Sequence, residues 1–536
     1  MTQAAAPATI GVIGAGTMGS GIAQLGCLSG ARTLLHDPVA DALDRGVDQI
    51  RRHLERGAAR GRWSDEDAKA AAQRLEATLD VGDLGPCELV IEAAPERLEL
   101  KRELFKQLSE EVVSEQCVLA TNTSSLLVTA IAGAAERPER VVGMHFFNPA
   151  PLMALLEVVA GEQSSEEALA VARAAGEAMG KHVIDAADGP GFLVNRCNRP
   201  FGLEALRLLQ ERIAPLEEID RICRLGGGFR MGPFELMDLV GVDVGLDVSR
   251  SFYEQSFGEP RWRPSPITVR TVAAGRLGRK SGRGYYDYSK GAGEHRPADP
   301  ERLEAGGGDG VIVIAGESPL TLELAVAAHE AGWHVVSPAE AEDAEAPFLI
   351  LDLTGHDEPE APLQGGPQAI CCAAGSLAAL DPEGAAVGFH ALPPLGAASL
   401  VELTRGPDTA NSAAEAAEHF FATLGKHTAW VQDAPGLVLG RIVCQIINES
   451  AFALGEGVGS AADIDAGMVH GMSHPRGPME WADRIGLDQV LAVLDGLSDE
   501  LREDRYRAAP TLRRLAWSGR LGRQTGEGFF AHEVDQ

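Results

Sequence analysis

Three glycines near the start of the chain, Gly14, Gly16 and Gly19, constrain the fold more than any other feature. They follow an apolar run at residues 10–14, which predicts a buried strand, and precede a helical pattern at residues 20–29. In this order the first glycine permits a tight turn, the second lets a pyrophosphate approach the backbone, and the third lets helix and strand pack closely. Thr17 and Met18 complete this loop. The pattern predicts an α/β domain of the Rossmann type with a dinucleotide-binding loop.

An acidic residue at the end of the next predicted strand supports the same interpretation. Asp37 closes the run at residues 32–37, where a carboxylate would bind the ribose hydroxyls of the adenosine and repel a 2′-phosphate. The sequence therefore predicts NAD as the cofactor in preference to NADP. The alternative is a structural glycine turn followed by an unrelated aspartate.

Length, composition and charge limit the remaining possibilities. A chain of 536 residues is too long for one core, so roughly three or four domains are expected. Its 45% hydrophobic and 23% charged residues fit a soluble protein, and no apolar stretch reaches the roughly 18 residues of a membrane span. A formal net charge of −31 disfavours nucleic acid and anionic membranes as partners.

The N-terminal and cysteine patterns bear on the compartment. Residues 1–9 lack the basic and apolar segments of a signal peptide. The eight cysteines are scattered and form no CxxC pair or zinc pattern. We therefore expect free thiols, no metal site and a cytoplasmic location.

Two polar segments follow predicted strands at the edge where open α/β sheets bind ligands. The strand at residues 88–92 leads to Glu96 and to a helix containing Lys101, and the strand at residues 117–121 leads into a polar turn containing Ser124. A helical run nearby is rich in arginine, with Arg51, Arg52, Arg56, Arg60 and Arg62. A solvated helix face is the ordinary interpretation of this run, and a phosphate-bearing ligand lying along it is the functional one.

His145 lies at the end of another apolar run, within the segment 143–149 (Gly-Met-His-Phe-Phe-Asn-Pro). Most isolated histidines are packing or surface residues, so the position alone is weak evidence. Twelve residues later Glu157 lies inside the apolar run 155–159, where a buried carboxylate needs a partner. If the intervening turn folds the two runs together, Glu157 holds one imidazole nitrogen as N–H and leaves the other as a base.

A hinge-like break at residues 188–191 (Asp-Gly-Pro-Gly) precedes a mostly helical region. Asn195 falls in the first turn of the next predicted helix, so its side chain can face the cleft. The segments 232–238 and 277–286 punctuate this region, and a linker rich in Gly, Pro and charge follows at residues 291–310.

These segments together resemble the L-3-hydroxyacyl-CoA dehydrogenase family over about residues 10–288. The matching segments in chain order are GAGTMGSGIA (14–23), NTSS (122–125), HFFNP (145–149), LLEV (155–158), DGPGFLVNR (188–196) and GRKSGRGYY (278–286). The resemblance implies NAD-dependent oxidation of an L-3-hydroxyacyl-CoA to the 3-ketoacyl-CoA, in fatty-acid or aromatic-acid catabolism.

The resemblance also implies roles for individual residues. His145 would be the general base, Glu157 would orient it, and Ser124 and Asn195 would hold the substrate oxygen and the thioester. Arg60 stands where a lysine often meets the CoA phosphates. The positions that contact NAD in the family are here Gly14, Gly16, Gly19, Asp37, Glu96, Lys101, Asn148 and Lys280, together with the intervening loop residues.

The second half of the chain repeats the first. The segment 477–483 repeats 232–238, and the segment 521–530 repeats 277–286, at a nearly constant offset along the chain. The same offset takes His145 to His390 and Glu157 to Glu402, which could still pair as structural relics.

This second copy is degenerate where the chemistry requires particular residues. Glu317 and Pro319 stand where the pyrophosphate loop needs glycine and open N–H groups. Gly440 and Gln524 stand at the positions of Asn195 and Lys280. We therefore predict that the second copy does not bind NAD.

The predicted fold is an α/β Rossmann-type NAD-binding domain followed by an all-α C-terminal domain, with a degenerate copy of both. The segments are a Rossmann domain at 1–187, a helical domain at 188–290, a linker at 291–310, a Rossmann-like domain at 311–432 and a helical domain at 433–536. In the family such helical domains pair, so we expect an internal pseudo-dimer within a chain that is a monomer or a homodimer overall. The layout resembles bacterial dehydrogenases of 3-hydroxybutyryl-CoA and 3-hydroxyadipyl-CoA.

Two other functions remain open at this stage. One is NAD-dependent oxidation of a hydroxy acid without CoA, which the arginine run and the HFFNP segment disfavour. The other is a non-catalytic protein that binds acyl-CoA or serves a structural role, which the complete set of polar residues in the first copy disfavours. No residue pattern selects the acyl chain of the substrate.

Overall fold

The computed structural model describes residues 4–291, 293–343, 346–357, 359–361, 363–382 and 384–533. The chain divides into two compact units. The first consists of Met1–Arg196 with Gly457–Met472, and the second of Cys197–Glu456 with Ser473–Gln536. The units cut across the predicted order of domains, because a segment of the second helical region belongs to the first unit.

The first unit contains an eight-stranded sheet. Its strands are β1 (Thr9–Ile13), β2 (Arg32–His36), β3 (Leu75–Thr78), β4 (Leu89–Glu92), β5 (Val118–Thr121), β6 (Val141–Phe146), β7 (Leu155–Ala160) and β8 (His182–Ala187). Their order is β3-β2-β1-β4-β5-β6-β7-β8, and only the β6–β7 pair is antiparallel. Helices cover the faces of such a sheet, which explains the continuous apolar runs of its central strands. The predicted Rossmann arrangement is confirmed.

The helices of the first half connect these strands. They are α1 (Thr17–Leu28), α2 (Ala40–Ala59), α3 (Asp65–Gln73), α4 (Leu98–Gln107), α5 (Val128–Ala132), α6 (Glu166–Ala178) and the short α7 (Val194–Cys197). The arginine-rich helical run predicted from the sequence corresponds to α2. Helix α3 and strand β3 follow it as a short excursion at the edge of the sheet.

The second unit contains a seven-stranded sheet. Its strands are β9 (Val311–Ala315), β10 (His334–Val336), β11 (Leu349–Asp352), β12 (Gln368–Cys371), β13 (Val387–His390), β14 (Leu400–Arg405) and β15 (His427–Trp430). Their order is β10-β9-β11-β12-β13-β14-β15, again with one antiparallel pair, β13–β14. The predicted duplication of the α/β architecture is confirmed.

The two sheets differ at the edge that carries α2, α3 and β3 in the first. The described part of the second sheet has no counterpart of β3, and β10 is followed by β11 after residues 337–348 alone. The second copy is therefore shorter between its first and third strands, and its described residues contain no counterpart of the arginine-rich helix. For this reason the offset seen in the sequence motifs holds only for the later part of each copy.

The remaining helices, in chain order, belong mostly to the second unit. They are α8 (Arg199–Glu211), α9 (Leu216–Leu225), α10 (Pro233–Val240), α11 (Val242–Gln255), α12 (Pro266–Ala273), α13 (Pro319–Ala331), α14 (Leu377–Leu380), α15 (Asn411–Thr423), α16 (Leu439–Gly455), α17 (Ala461–Met472), which lies in the first unit, α18 (Pro478–Ile485), α19 (Leu487–Leu501) and α20 (Pro510–Trp517). Among the described residues no helix is long and apolar enough to cross a membrane.

Helices α8 and α16, one from each helical region, pack together within the second unit. The buried guanidinium of Arg441 on α16 lies between Glu204 (3.0 Å) and Glu211 (2.6 Å) on α8, and it donates to the hydroxyl of Tyr506. A buried cation must be paired in this way to be tolerated. Helices from the two helical regions therefore pack against each other within this unit.

The segment predicted as a linker, of which residue 292 lies outside the described part, is attached to α10 by ion pairs. Oε1 of Glu235 accepts from Nε2 of His295 (2.8 Å) and from Nε of Arg296 (2.7 Å), while Arg224 binds its other oxygen. Burial acts to raise the pKa of Glu235, but Arg296, His295 and the Gly232 N–H outweigh it and lower the pKa to about 2. These contacts fix the start of the linker.

Candidate active site

The glycine loop between β1 and α1 has the geometry that a pyrophosphate site needs. Gly14 has φ of +97°, a conformation that strongly favours glycine. A Cβ at Gly19 would lie 1.7 Å from the carbonyl oxygen of Gly14, whereas a Cβ at Gly16 would meet no atom within 4 Å. Gly16 is the N-cap of α1 and makes no side-chain cap, while Thr17 is exposed and Met18 half-buried. Open space and uncapped N–H groups therefore coincide at a helix N-terminus, which favours a bound phosphate.

Asp37 lies directly against this loop at the end of β2. Its Oδ2 accepts a hydrogen bond from the N–H of Ala15 (2.9 Å), and its Oδ1 accepts one from Val39 (2.9 Å). Both oxygens are therefore held in place beside the cofactor loop. This is the position from which a carboxylate binds ribose hydroxyls.

Lys101, a predicted NAD contact, is buried and paired with two carboxylates. Its Nζ lies 2.6 Å from Oε1 of Glu92 and 3.3 Å from Oε2 of Glu96. Glu92 is fully buried and also accepts from the hydroxyl of Thr121 (2.7 Å). Lys101 thus contributes to the site by holding Glu96. Sequence reasoning did not select Glu92, although a carboxylate that ends an apolar strand needs such a partner.

Glu96 organises the polar turn after β5. Its Oε1 accepts from the hydroxyl of Thr123 (2.5 Å) and from the backbone N–H groups of Ser124 (3.0 Å) and Ser125 (3.1 Å). Burial acts to raise the pKa of Glu96, but Lys101 and these donors outweigh it, so its pKa is lowered. The hydroxyl of Ser124 makes no hydrogen bond to any residue that the structure describes, so it is available to a ligand.

His145 and Glu157 face each other across the antiparallel pair β6–β7. They are register partners, and Nδ1 of His145 lies 2.6 Å from Oε2 of Glu157. The other oxygen of Glu157 accepts from the backbone N–H groups of Leu193 (3.1 Å) and Val194 (2.9 Å). These three donors compensate for the complete burial of the carboxylate and fix its orientation. Within the described residues Nε2 of His145 has no hydrogen-bond partner, so it can act on a ligand.

Two aromatic rings flank His145. The ring of Phe147 lies 4.6 Å from the imidazole between centroids, and that of Phe192 lies 5.8 Å away in an edge-on arrangement. Phe192 has φ of +51°, and the chain turns there so that the next two N–H groups both reach Glu157. Asn195 follows in α7, half-buried, and its amide makes no hydrogen bond within the described part of the chain.

Three further predicted contacts lie outside this group. Asn148 is exposed in the turn after β6, and Arg60 is the exposed C-cap of α2, one of six exposed arginines on or next to that helix. Lys280 belongs to the second unit, where its Nζ pairs with Asp243 at 2.6 Å.

The corresponding pair of the second copy has a different arrangement. His390 and Glu402 are register partners, but Glu402 accepts from Val438 N–H (2.7 Å) and Leu439 N–H (3.0 Å), one on each oxygen. Nδ1 of His390 is buried and has no hydrogen-bond partner among the described residues, so the residual pairing considered from the sequence does not form there. Burial lowers the pKa of His390 to about 4 and raises that of Glu402 to about 8.

The cofactor loop of the second copy is closed to phosphate. Pro319 removes an N–H at the start of α13, and the hydroxyl of Ser318 caps the helix by accepting from Thr321 N–H (3.2 Å). A cavity of about 690 Å³ beside this turn is lined by four carboxylates and by no lysine or arginine among the described residues; the carboxylates are those of Glu317, Asp357, Glu360 and Asp488. Such a lining repels a dinucleotide.

Comparison with known proteins agrees with the geometry of the first copy. The model of the 3-hydroxyacyl-CoA dehydrogenase NAD-binding domain matches residues 9–189, and the model of the C-terminal domain matches twice, at residues 191–288 and 436–532. The chain belongs to the 3-hydroxyacyl-CoA dehydrogenase family. This 3-hydroxyacyl-CoA dehydrogenase is an NAD-dependent oxidoreductase, as the sequence predicted.

Relatives of this dehydrogenase differ in how much of the chain they match. The 3-hydroxyadipyl-CoA dehydrogenase of Escherichia coli K12 is 36% identical over 95% of this chain and 97% of its own. A crystal structure named 3-hydroxybutyryl-CoA dehydrogenase, also from E. coli K12, is 35% identical, covers 96% of this chain and 99% of its own, and has a TM-score of 0.81. The probable 3-hydroxybutyryl-CoA dehydrogenase of Deinococcus radiodurans is 41% identical over 52% of this chain and 99% of its own.

Proposed function

We propose that His145 is the general base of this dehydrogenase and that Glu157 orients it. The 2.6 Å contact between Nδ1 and the buried carboxylate, with Nε2 left open, is the observation that carries the proposal. A ring whose Nδ1–H is bound to a carboxylate presents Nε2 as a proton acceptor. The O–H bond at C3 of the substrate breaks, its proton moves to Nε2, and the carboxylate stabilises the resulting imidazolium. NAD, when bound, supplies the acceptor for the hydride that leaves C3.

Ser124 and Asn195 hold the substrate in this proposal. Both polar side chains are half-buried and unbonded within the described residues, and both belong to rigid surroundings. Glu96 fixes the backbone of Ser124, and α7 carries Asn195 one residue after the N–H that binds Glu157. Groups fixed in this way can orient the substrate oxygen and thioester at low entropic cost.

The cofactor site consists of the open glycine loop and Asp37, which the structure holds beside it. We assign Asn148 and Lys280 to the same function, and we assign to Glu96 and Lys101 the support of its edge. Arg60 and its neighbouring exposed arginines on α2 form a basic surface for the phosphates of CoA. The absence of this helix from the described second copy supports its assignment to substrate binding.

The substrate that we propose is a short 3-hydroxyacyl-CoA. The relatives that match the chain nearly end to end are named for 3-hydroxyadipyl-CoA and 3-hydroxybutyryl-CoA. A role in fatty-acid or aromatic-acid catabolism follows from such substrates. Oxidation of a hydroxy acid without CoA has no comparable support.

We also propose the domain boundaries given above, an internal pseudo-dimer of the helical regions, and a cytoplasmic location. The buried contact of Arg441 with Glu204 supports the pseudo-dimer. The eight free thiols, all buried, support a reducing compartment. Light scattering of the purified chain would distinguish a monomer from a homodimer.

The decisive experiment is steady-state oxidation of thioesters by the wild type and by His145→Gln. The panel should contain 3-hydroxybutyryl-CoA, 3-hydroxyadipyl-CoA and the free acids, with NADH formation as the signal. We expect turnover of the CoA thioesters only, and a decrease of at least about 10²-fold in His145→Gln with NAD binding retained. Turnover of the free acids would overturn the substrate class, and unchanged turnover in the variant would remove His145 from its role.

A further inference from the structure

The two copies exchange helical segments within the compact units. In the first unit the backbone N–H of Ala187, at the end of β8, donates to the carbonyl of Val458 (2.8 Å), and α17 of the second helical region lies on β7 and β8. In the second unit the backbone N–H of Gln432 donates to the carbonyl of Ile213, also at 2.8 Å, and α9 of the first helical region lies on β14. Gln432 is the repeat counterpart of Ala187, and Val458 is that of Ile213, so the exchange is reciprocal.

Two glycines, one on α17 and one just before it, lie close to the residues that hold Glu157. A Cβ at Gly467 would lie 2.7 Å from Cγ2 of Val194, and one at Gly459, just before the helix, would lie 2.6 Å from Cδ2 of Leu193. Val194 and Leu193 are the residues whose N–H groups bind Glu157. The second copy thus packs against Leu193 and Val194, and each of these residues donates one backbone hydrogen bond to Glu157.

A second line of contact ends at the imidazole. A Cβ at Gly471 would lie 2.7 Å from Cδ2 of Leu155, 3.3 Å from Cγ1 of Val194 and 3.6 Å from Cε1 of Phe147. The ring of Phe147 in turn lies against His145. These approaches are so close that a single methyl group on α17 must displace its neighbours.

We propose that α17, with the segment before it, is a positioning element of the active site in the first copy. It holds Leu193 and Val194 so that their N–H groups fix Glu157, and it supports Phe147 beside His145. The degenerate copy is therefore required for catalysis although its own site is closed to NAD. This inference rests on the proposed roles of His145 and Glu157.

A double-mutant cycle between Gly467 and Val194 tests the contact. Gly467→Ala adds a methyl group where Val194 stands, and Val194→Ala removes methyl groups while keeping the N–H that Glu157 accepts. We expect each single variant to lower kcat by about tenfold, with the dissociation constant of NAD unchanged. The double variant restores volume, so its kcat should return to within about threefold of the wild type.

The pH dependence separates positioning from a loss of stability. When Val194 N–H moves away, the carboxylate of Glu157 loses a donor and attracts a proton on His145 more strongly. The acidic limb of the kcat/KM profile should therefore move to higher pH in Gly467→Ala and in Gly471→Ala. Loss of folded protein alone lowers the amplitude of the profile and leaves its position unchanged.

The mirror position provides the matched control. A Cβ at Gly226, the repeat counterpart of Gly471, would lie 2.9 Å from the carbonyl oxygen of Ile222, 3.3 Å from Cδ2 of Leu439 and 3.4 Å from the carbonyl oxygen of Leu400 in the non-catalytic copy. Gly226→Ala should lower the temperature of unfolding but leave kcat and the pH profile of the folded enzyme as in the wild type. The inference is overturned if Gly467→Ala and Gly471→Ala match the wild type in kcat and pH profile, or if Gly226→Ala lowers kcat as much as they do. Inactive wild-type enzyme on every thioester would instead contradict the proposed function.

Discussion

Replacement of Glu157 by glutamine tests the acid–base pair most directly. The carboxylate is fully buried, with one oxygen facing Leu193 N–H and Val194 N–H and the other facing Nδ1 of His145. A glutamine must turn its carbonyl oxygen to the two backbone donors, so its NH₂ group faces Nδ1. Nδ1 can then only accept, which places the proton on Nε2 and removes the base.

The magnitude follows from the contact that is lost. A hydrogen bond to a charged group contributes about 1.5–3 kcal/mol, which corresponds to about 10- to 150-fold in rate at about 1.36 kcal/mol per tenfold. We expect the kcat of Glu157→Gln to be lower than that of the wild type by a factor within this range, because the charge of the carboxylate stabilises the imidazolium only as the proton moves. The glycine loop is untouched, so NAD binding should be that of the wild type. Initial rates of NADH formation at saturating thioester, with fluorescence titration of NAD, measure both quantities.

The second copy supplies the control variant. Glu402 is buried on the equivalent strand, but its oxygens bind only backbone N–H groups and burial raises its pKa to about 8. An amide accepts only through its oxygen, so a glutamine leaves one of these two N–H groups facing its NH₂ group. Glu402→Gln should therefore lower the temperature of unfolding but keep the kcat of the folded enzyme. A Glu157→Gln enzyme that keeps kcat within about threefold of the wild type would refute the assignment of Glu157. A loss of kcat in Glu402→Gln equal to that in Glu157→Gln would refute the distinction between the copies.

Three further variants test other parts of the structure. Asp37→Ala should reduce the ratio of kcat/KM for NAD over NADP by at least about tenfold, because the carboxylate that repels a 2′-phosphate is gone; an unaltered ratio contradicts this. Gly19→Ala puts a methyl group 1.7 Å from the carbonyl oxygen of Gly14, so NAD affinity in a fluorescence titration should fall steeply, and wild-type affinity would disprove the role of the turn. Burial acts to raise the pKa of Glu235, but Arg296 and neighbouring donors lower it from 4.5 to about 2, so its stabilisation is complete above pH 4.5 and is lost as the pH falls toward 2. Glu235→Gln should therefore lower the thermal unfolding temperature at neutral pH and leave it unchanged near pH 2; an equal decrease at both pH values argues against this linkage.

Local pattern was sufficient to predict the elements that lie around the cofactor loop. A tight turn and a strand next to it depend on residues that are close in sequence. The glycine spacing, the apolar run before it and Asp37 therefore predicted β1, α1 and β2, which the structure contains. The pairing of His145 with Glu157 was predictable because the turn between them can fold the two apolar runs together, and the structure places the two residues opposite each other.

Contacts made by backbone atoms could not be predicted in the same way. The donors that hold Glu157 are the N–H groups of Leu193 and Val194. Nearly every residue has a backbone N–H group, so the residue type does not indicate which N–H groups bind a side chain. The exchange of α17 between the copies was also missed, since the family pairing indicated only that the helical regions associate. The shortened edge of the second sheet could not be predicted, because the sequence motifs that reveal the repeat all lie after this edge in the chain.

Comparison of the two copies separates structural motifs from catalytic ones. Asp188 caps α5 through the N–H groups of Val128 and Thr129, and Asp433 makes the same two contacts at the start of α14. Lysines at 181 and 426 bind equivalent pairs of carbonyls, and aspartates at 238 and 483 bind equivalent turns. Resemblance at these positions therefore reports the fold and carries no evidence for catalysis. The open glycine loop, Asn195, the arginine-rich helix and the His–Glu hydrogen bond occur in the first copy alone among the described residues. We therefore assign the dehydrogenase activity to these features, supported by α17 beside Glu157.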